Sequence, residues 1–326
     1  MTGPLVSVVT PFYNTAAYLD ECIASVLAQT YGNFEYVLLD NHSDDGSSEI
    51  AARWAGRDPR IKLSRNPTLL PQVPNYNHAL SLISSESRWV KMVQADDLIF
   101  PRCLEEMVAA GESAPTVALI SSYYLMGRRL MAEGLAYTVT TAPGKEVCRM
   151  HHRGAYLFGS PTTVMYRADL VRARAPFYSL GRYHEDTEAA YEILGTHDFG
   201  FVHQVLSFLR VDEESIMGKA QAYGPDRLDH LITLKQFGPR DLPPEEYRRR
   251  LADEEDEYYR FLAKRRLGER NADFLDYHRR GLATIGETID GRKLTRYVLM
   301  AIGDKVLAPK QALEWLVRRG RRRERG

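Results

Sequence analysis

The chain has 326 residues, enough for one catalytic domain and a sizeable second unit, and its 44% hydrophobic and 26% charged residues are those of a folded globular protein. Lysine plus arginine equal aspartate plus glutamate at 43 each, so no global field marks nucleic acid as a partner. Cys22, Cys103 and Cys148 lack metal-ligand spacing and fit a reducing cytoplasm, while no signal segment opens the chain and no apolar run reaches the roughly 20 residues of a membrane span.

Taken in chain order, Leu5-Val-Ser-Val-Val-Thr10 is an apolar, β-branched run halted by Pro11, which reads as a buried strand entering a loop. Leu19, Cys22, Ile23, Val26 and Leu27 then fall on one helical face, so a helix is expected over residues 17–29, capped by Asn14 or Thr15. Phe34-Glu-Tyr-Val-Leu-Leu-Asp40 is a second strand ending in the polar turn 41–46. The alternation continues with a helix at 48–55, a strand at 61–64, a helix at 75–84 and a strand at 89–94. Such a pattern predicts a parallel sheet covered by helices, with ligands bound beyond the carboxyl ends of its strands. Three polar clusters, at 11–14, 40–45 and 96–97, are therefore expected to converge on one crevice.

After Pro101 the alternation loosens, with strands expected at 117–123, 162–166 and 199–208 and a helix at 185–194. From about Gly218 the chain turns charged and helical, with Pro243-Pro244 opening a helix, so the expected division is a catalytic unit 1–217 and a helical extension 218–326. Leu294, Val298, Leu299, Ile302, Val306, Leu307, Leu313 and Leu316 suggest amphipathic helices interrupted at Pro309. The basic tail 318–325 could touch anionic lipid head groups or nucleic acid, with a solvated terminus the commoner case for such a run, and these helices suit either the anionic inner face of a membrane or a homodimer contact.

Asp96-Asp97 directly follows an apolar strand, and two carboxylates at a strand end suit a hard divalent cation that also holds a diphosphate. A dinucleotide site needs a glycine-rich turn after the first strand, where this chain has Pro11-Phe-Tyr-Asn14. The glycine and basic loop of a nucleotidyltransferase is missing there too, and no phosphate-cradling P-loop occurs.

The segments Val8-Val-Thr-Pro-Phe-Tyr-Asn14, Ser25-Val-Leu-Ala-Gln-Thr-Tyr31 and Phe34-Glu-Tyr-Val-Leu-Leu-Asp40 resemble glycosyltransferase family 2, in order and in spacing. Asn77 with Ala79, then Gln94-Ala-Asp96-Asp97 and His184-Glu185-Asp186, look like that family's further motifs, so the resemblance covers about residues 5–215. It implies a GT-A, Rossmann-like α/β fold with a mostly parallel sheet, an inverting reaction, a UDP-, dTDP- or GDP-linked sugar donor, a glycan or lipid-linked acceptor, and Mn²⁺ or Mg²⁺. Carried over by residue, the resemblance implies that Thr10, Pro11, Tyr13, Asp40, Asn41 and Asn77 contact the donor nucleotide, with Asp96 near its ribose or sugar and Asp97 on the cation. Asp186 is the implied base, while His184, Glu185 and Arg210 are expected at the acceptor or diphosphate, and 159–163 beside the acceptor pocket. Two positions depart from the family's pattern: Asn41 stands where many relatives have a second acid, and Asp212 replaces a histidine. A non-catalytic nucleotide- or glycan-binding scaffold on the same fold is the alternative reading.

Overall fold

The computed structural model describes residues 3–180, 184–211, 223–268 and 272–307. The chain divides into two compact units, Met1–Gly218 and Lys219–Gly326. In the first unit, β1 (Val6–Phe12), α1 (Leu19–Leu27), β2 (Phe34–Asp40), α2 (Ser47–Ala55), β3 (Ile61–Arg65), α3 (Gln72–Ser81) and β4 (Trp89–Met92) alternate strand with helix. There follow β5 (Leu98–Ile99), α4 (Cys103–Gly111), β6 (Val117–Met126), β7 (Arg129–Met131), β8 (Thr141–Ala142) and α5 (Gly144–His152). A 3-10 turn (Pro161–Thr163) leads into β9 (Val164–Arg167), α6 (Ala168–Ala173), α7 (Glu185–Leu194) and β10 (Asp198–Leu209).

These strands form one sheet in the order β3-β2-β1-β4-β9-β6-β10-β5, with β7 paired to β6 and β8 to β10. Strands β1 and β2 are buried along their whole length, as continuous apolar runs require in the interior of a parallel sheet. Strand β1 runs parallel to β2 and β4, β2 parallel to β3, and β6 parallel to β10. Strand β9 runs antiparallel to both its neighbours, β4 and β6, so the sheet is mixed where simple alternation predicts a parallel one. The reason lies in its approach: the turn before β9 is already hydrogen-bonded beside the carboxyl end of β4, through Gln94 N–H and the Thr162 hydroxyl (3.0 Å), so the strand can only run back.

Side chains of Leu19, Ile23, Val26, Leu38, Trp89, Leu104 and Met107 pack a core between the sheet and its helices. Each such side chain contributes about 1.5–3 kcal/mol on full burial. Neither Asn14 nor Thr15 caps α1 through its side chain, which corrects the expectation: Asn14, at φ 50°, donates to Asp44 (2.8 Å), and the Thr15 carbonyl receives the amides of Tyr18 and Leu19 (2.9 Å each). Helix α3 begins at Gln72 and so takes Pro74 into its first turn, where an amide has no intrahelical partner to lose.

The second unit contains α8 (Pro225–Asp241), α9 (Pro244–Gly268), α10 (Ala272–Ala283) and α11 (Gly291–Leu307). Leu228, Ile232, Tyr258, Leu262, Phe274, Leu282, Leu294 and Tyr297 form its own core. The expected apolar stripe of α11 is only partly buried: Leu294 is inside, while Leu299 (63% exposed) and Ile302 (42%) face outward. The side chains of Val306 and Leu307, together with Pro309, Leu313, Leu316 and the tail 318–325, lie outside the described residues.

Candidate active site

The carboxylate turn follows β4 and is closed by Asp97 N–H on the Gln94 carbonyl (3.0 Å). Asp97 is 3% exposed, and both of its carboxylate oxygens are engaged: one accepts from the Thr162 hydroxyl (2.6 Å), the other from the Arg210 amide (3.1 Å). Burial, with the neighbouring charge of Asp96, pushes its pKa up to about 7. Asp96 is partly exposed. Of the two acids, Asp97, expected on the cation, is thus enclosed, and Asp96, expected nearer the ribose or sugar, is the more accessible.

Arg210, expected at the acceptor or diphosphate, is bonded to this turn. Its Nε donates to the Asp96 carbonyl (2.7 Å), a terminal nitrogen pairs with Glu21, and the guanidinium lies 4.9 Å from the centre of the Tyr18 ring. The end of β10 is thereby tied to the end of β4 and to α1. Asp212, the second departure from the family pattern, falls outside the described residues.

At the ends of β1 and β2, several residues expected at the donor have side chains that are engaged within the protein. The Thr10 side chain is fully buried, with its hydroxyl 3.0 Å from the Tyr36 hydroxyl. Pro11 is buried beside it. Asp40 accepts from Ser43 N–H (2.8 Å) and the Ser48 hydroxyl (2.5 Å) and lies 3.5 Å from Arg65. The amide oxygen of Asn41 accepts from Asn66 Nδ2 (2.8 Å) and Leu70 N–H (2.9 Å), while its amide nitrogen donates to the Leu70 carbonyl (2.8 Å). Asn41 is therefore buried, with both its amide oxygen and its amide nitrogen bonded within the protein. Tyr13 differs from these neighbours in being 43% exposed, with its ring free to be covered.

Asn77, also expected at the donor, is bonded within the fold: its amide oxygen accepts from Tyr178 N–H and its amide nitrogen donates to the Tyr178 carbonyl, both at 2.8 Å. This two-point clamp fastens α3 to the segment that precedes α7. His184, Glu185 and Asp186 open α7, with His184 at the cap position. Asp186 is partly accessible, yet surrounding protein raises its pKa above the ordinary carboxylate range, with the adjacent His184 opposing. Burial raises the pKa values of Tyr124 (up to about 12), Tyr166 and Tyr178, and the charge of Asp186 adds to the rise in all three. Glu185 is buried, and Glu188 accepts from the Ser179 hydroxyl (2.7 Å).

Gln94 and Tyr76 are hydrogen-bonded to each other near both acidic stretches, a contact that sequence reasoning does not single out. Gln94 Nε2 donates to the Tyr76 hydroxyl (3.0 Å), and its Oε1 accepts from the Ser160 hydroxyl (2.7 Å). The Tyr76 phenol, raised in pKa mainly by burial, also feels the charges of both Glu185 and Asp96. The carboxyl end of β4, the 159–163 stretch and the start of α7 therefore belong to one polar site. The signal that could have found Gln94 was its position two residues before an accessible acid at a strand end.

Among the described residues no cluster of three or more His, Cys, Asp or Glu side chains could enclose a metal. Mg²⁺ or Mn²⁺ in phosphate-transfer and diphosphate sites is commonly held by one or two carboxylates with the rest of its shell from water and substrate, and an accessible Asp96 braced by Asp97 fits that need.

The family described as Glycosyl transferase family 2 matches residues 7–173, just over half of the chain. EpsE of Bacillus subtilis is 40% identical over 109 residues, covering 33% of this chain and 38% of EpsE. The glycosyltransferase GlyG of Streptococcus pneumoniae is 31% identical over 120 residues, 37% of this chain and 39% of its own length. The chain thus spans about two fifths of the length of these curated relatives. Among solved structures, S. aureus TarS 1-349 in complex with UDP-GlcNAc superposes with a TM-score of 0.62 at 18% identity, over 88% of this chain and 82% of that one. Mannosyltransferase PcManGT from Pyrobaculum calidifontis, in complex with GDP-Man and Mn²⁺, gives 0.54 at 16% identity, over 97% and 85%. At these identities the likeness carries the fold, which is GT-A.

Proposed function

Because the chain belongs to glycosyl transferase family 2, we propose that it moves a sugar from a nucleotide-diphosphate donor to an acceptor hydroxyl with inversion at the anomeric carbon. The observation that carries this reading is that one buried phenol, Tyr76, hydrogen-bonded by Gln94, feels the charges of both Asp96 at the end of β4 and Glu185 at the start of α7, where the next residue, Asp186, has a raised pKa. A transferase needs one carboxylate for the departing diphosphate and another for the attacking hydroxyl, on opposite sides of the sugar.

In this reading Tyr13 stacks on the nucleobase and Asp96 holds the divalent cation, with Asp97 and Arg210 fixing the turn behind it. The cation, when bound, neutralises the charge that develops on the diphosphate. Asp186 takes the proton from the acceptor hydroxyl. The freed oxygen bonds to the anomeric carbon on the face away from the diphosphate, and the carbon–oxygen bond to the diphosphate breaks with its electron pair on the leaving oxygen. A carboxylate whose pKa lies above the usual range is a stronger base for this step than an exposed aspartate. The charge of His184 beside it opposes that rise.

Asp186→Asn is expected to lower turnover by at least about 100-fold while leaving donor affinity within about threefold, because a base acts only on the chemical step. Steady-state rates with the donor sugar, alongside calorimetric titration of the nucleotide with Mn²⁺, separate the two effects. Near wild-type turnover in Asp186→Asn excludes it as the base. Binding without turnover by the wild-type chain, under any acceptor, favours the scaffold alternative.

The donor base remains with the nucleotide pocket as a whole, since Asn41 does not reach out to it. The acceptor is read as a glycan or lipid-linked sugar, and the protein's place as the cytoplasmic side of a membrane. Residues 291–326 support this location with 11 lysines and arginines against 3 acids, and no described helix is long and apolar enough to cross a membrane.

A further inference from the structure

Among the described residues, Lys91 is the one lysine or arginine that is buried, and it has no accessible surface at all. Removing an ammonium group from water costs several kcal/mol unless partners replace its hydration, and a methionine of similar shape would fill the same space without that cost. Lys91 lies in β4, whose other residues are also buried and all uncharged. Its Nζ donates to the Thr162 carbonyl and to the Val164 carbonyl (3.2 Å), and no described carboxylate pairs with it directly. Burial holds its pKa below the ordinary lysine value, against the pull of the more distant Asp97.

Both carbonyls belong to the turn that enters β9, and the Thr162 hydroxyl in that turn does two things. It accepts from Gln94 N–H (3.0 Å) and donates to Asp97 (2.6 Å). Two residues earlier, the Ser160 hydroxyl donates to the Gln94 side chain (2.7 Å). The lysine therefore sits beneath the contact between the 159–163 stretch and the Gln94–Asp97 turn.

We propose that Lys91 is a positioning residue: by holding the Thr162 and Val164 carbonyls it fixes the Thr162 hydroxyl, and through that hydroxyl it sets where Asp96 and Asp97 stand relative to the 159–163 stretch. The inference rests on the reading of Asp96 as the acid that serves the donor diphosphate. A displacement of about 1 Å in such a turn is enough to cost on the order of 100-fold in rate.

The test is a double-mutant cycle in the full-length chain with Lys91→Met and Thr162→Val. Turnover is followed with Mn²⁺ and whichever nucleotide sugar the wild-type chain consumes. Each single variant is expected to lower kcat by about 10–100-fold with the donor KM within about threefold, and the double variant to be no slower than the slower single one. Turnover of Lys91→Met at the wild-type rate, or reductions that multiply in the double variant, overturns the proposal, because a lysine that merely supports the fold does not act through Thr162. Should Lys91→Met not fold, Lys91→Gln, which keeps an uncharged donor for one carbonyl, takes its place in the cycle, with a smaller loss expected.

A crystal structure of the Lys91 variant supplies a readout independent of activity. The Thr162 hydroxyl is expected to leave hydrogen-bond distance of Asp97, and an unmoved hydroxyl overturns the proposal. A wild-type chain that turns over no donor, with the hydroxyl displaced in the variant, would count against the transferase reading alone.

Discussion

Asn41 shows how far a residue's chemistry depends on what it is asked to satisfy. A side-chain amide at the end of β2 has the donor and acceptor needed to read a pyrimidine edge, but here three hydrogen bonds to Asn66 and Leu70 engage both of its polar atoms within the protein. The same bonds make it costly to remove. Asn41→Ala leaves the Leu70 amide and carbonyl and one Asn66 N–H without partners in a buried place, at about 1–3 kcal/mol. Urea denaturation is expected to show that loss. A thermal-shift series over UDP, GDP, dTDP and CDP with Mn²⁺ is expected to keep its wild-type order, and a reordering would return Asn41 to the base-reading role. Asn77 and Thr10 follow the same logic, one clamped on the Tyr178 backbone and the other paired to Tyr36.

At the scale of elements, the helices of the second unit are arranged around an imidazole. His278 on α10 is fully buried, with Nε2 3.0 Å from the Tyr223 carbonyl and Nδ1 3.0 Å from the Tyr258 hydroxyl on α9. A neutral ring satisfies this pair, since Nε2–H donates to the carbonyl and Nδ1 accepts from the phenol. The rings of Phe261, Phe274 and Tyr277 close the surroundings, and burial lowers the pKa from 6.5 to about 4. The folded state thus binds fewer protons than the unfolded one between those values. The histidine's contribution is fully present above about 6.5 and is lost as pH falls toward 4, amounting to about 3 kcal/mol across the window. Helical circular dichroism during urea denaturation at a series of pH values is expected to show that decline, and His278→Phe to flatten it. An equally steep decline in His278→Phe would assign the acid sensitivity to other groups.

On the scale of the whole molecule, a net charge of zero conceals a polarity: residues 291–326 carry an excess of eight positive charges, so the remainder carries an equal negative excess. On α11 the exposed Leu299, Met300 and Ile302 lie next to the exposed Arg296, which is the pairing of apolar and basic groups that anionic lipid surfaces attract. Full-length protein is expected to sediment with phosphatidylglycerol vesicles and not with phosphatidylcholine vesicles, and Leu299→Asp with Ile302→Asp to weaken that binding several-fold. Self-association without vesicle binding would assign the same face to a dimer.

What the sequence determined by itself was everything carried by local pattern. Continuous apolar runs announced β1 and β2, helical spacing announced α1 and α7, and Pro243-Pro244 announced α9, because burial and backbone preference act over a few neighbouring residues. The ordered motifs at Thr10–Asn14, Asp96–Asp97 and Glu185–Asp186 carried the family in the same way. Only the tertiary structure decided which polar groups of those motifs remain available. Asp97 is enclosed because Thr162 and Arg210, 65 and 113 residues away, reach its two oxygens, and β9 is antiparallel because its preceding turn is bonded at the carboxyl end of β4. Hydrogen-bond satisfaction is settled between segments distant in the chain, and no local window of sequence contains both partners.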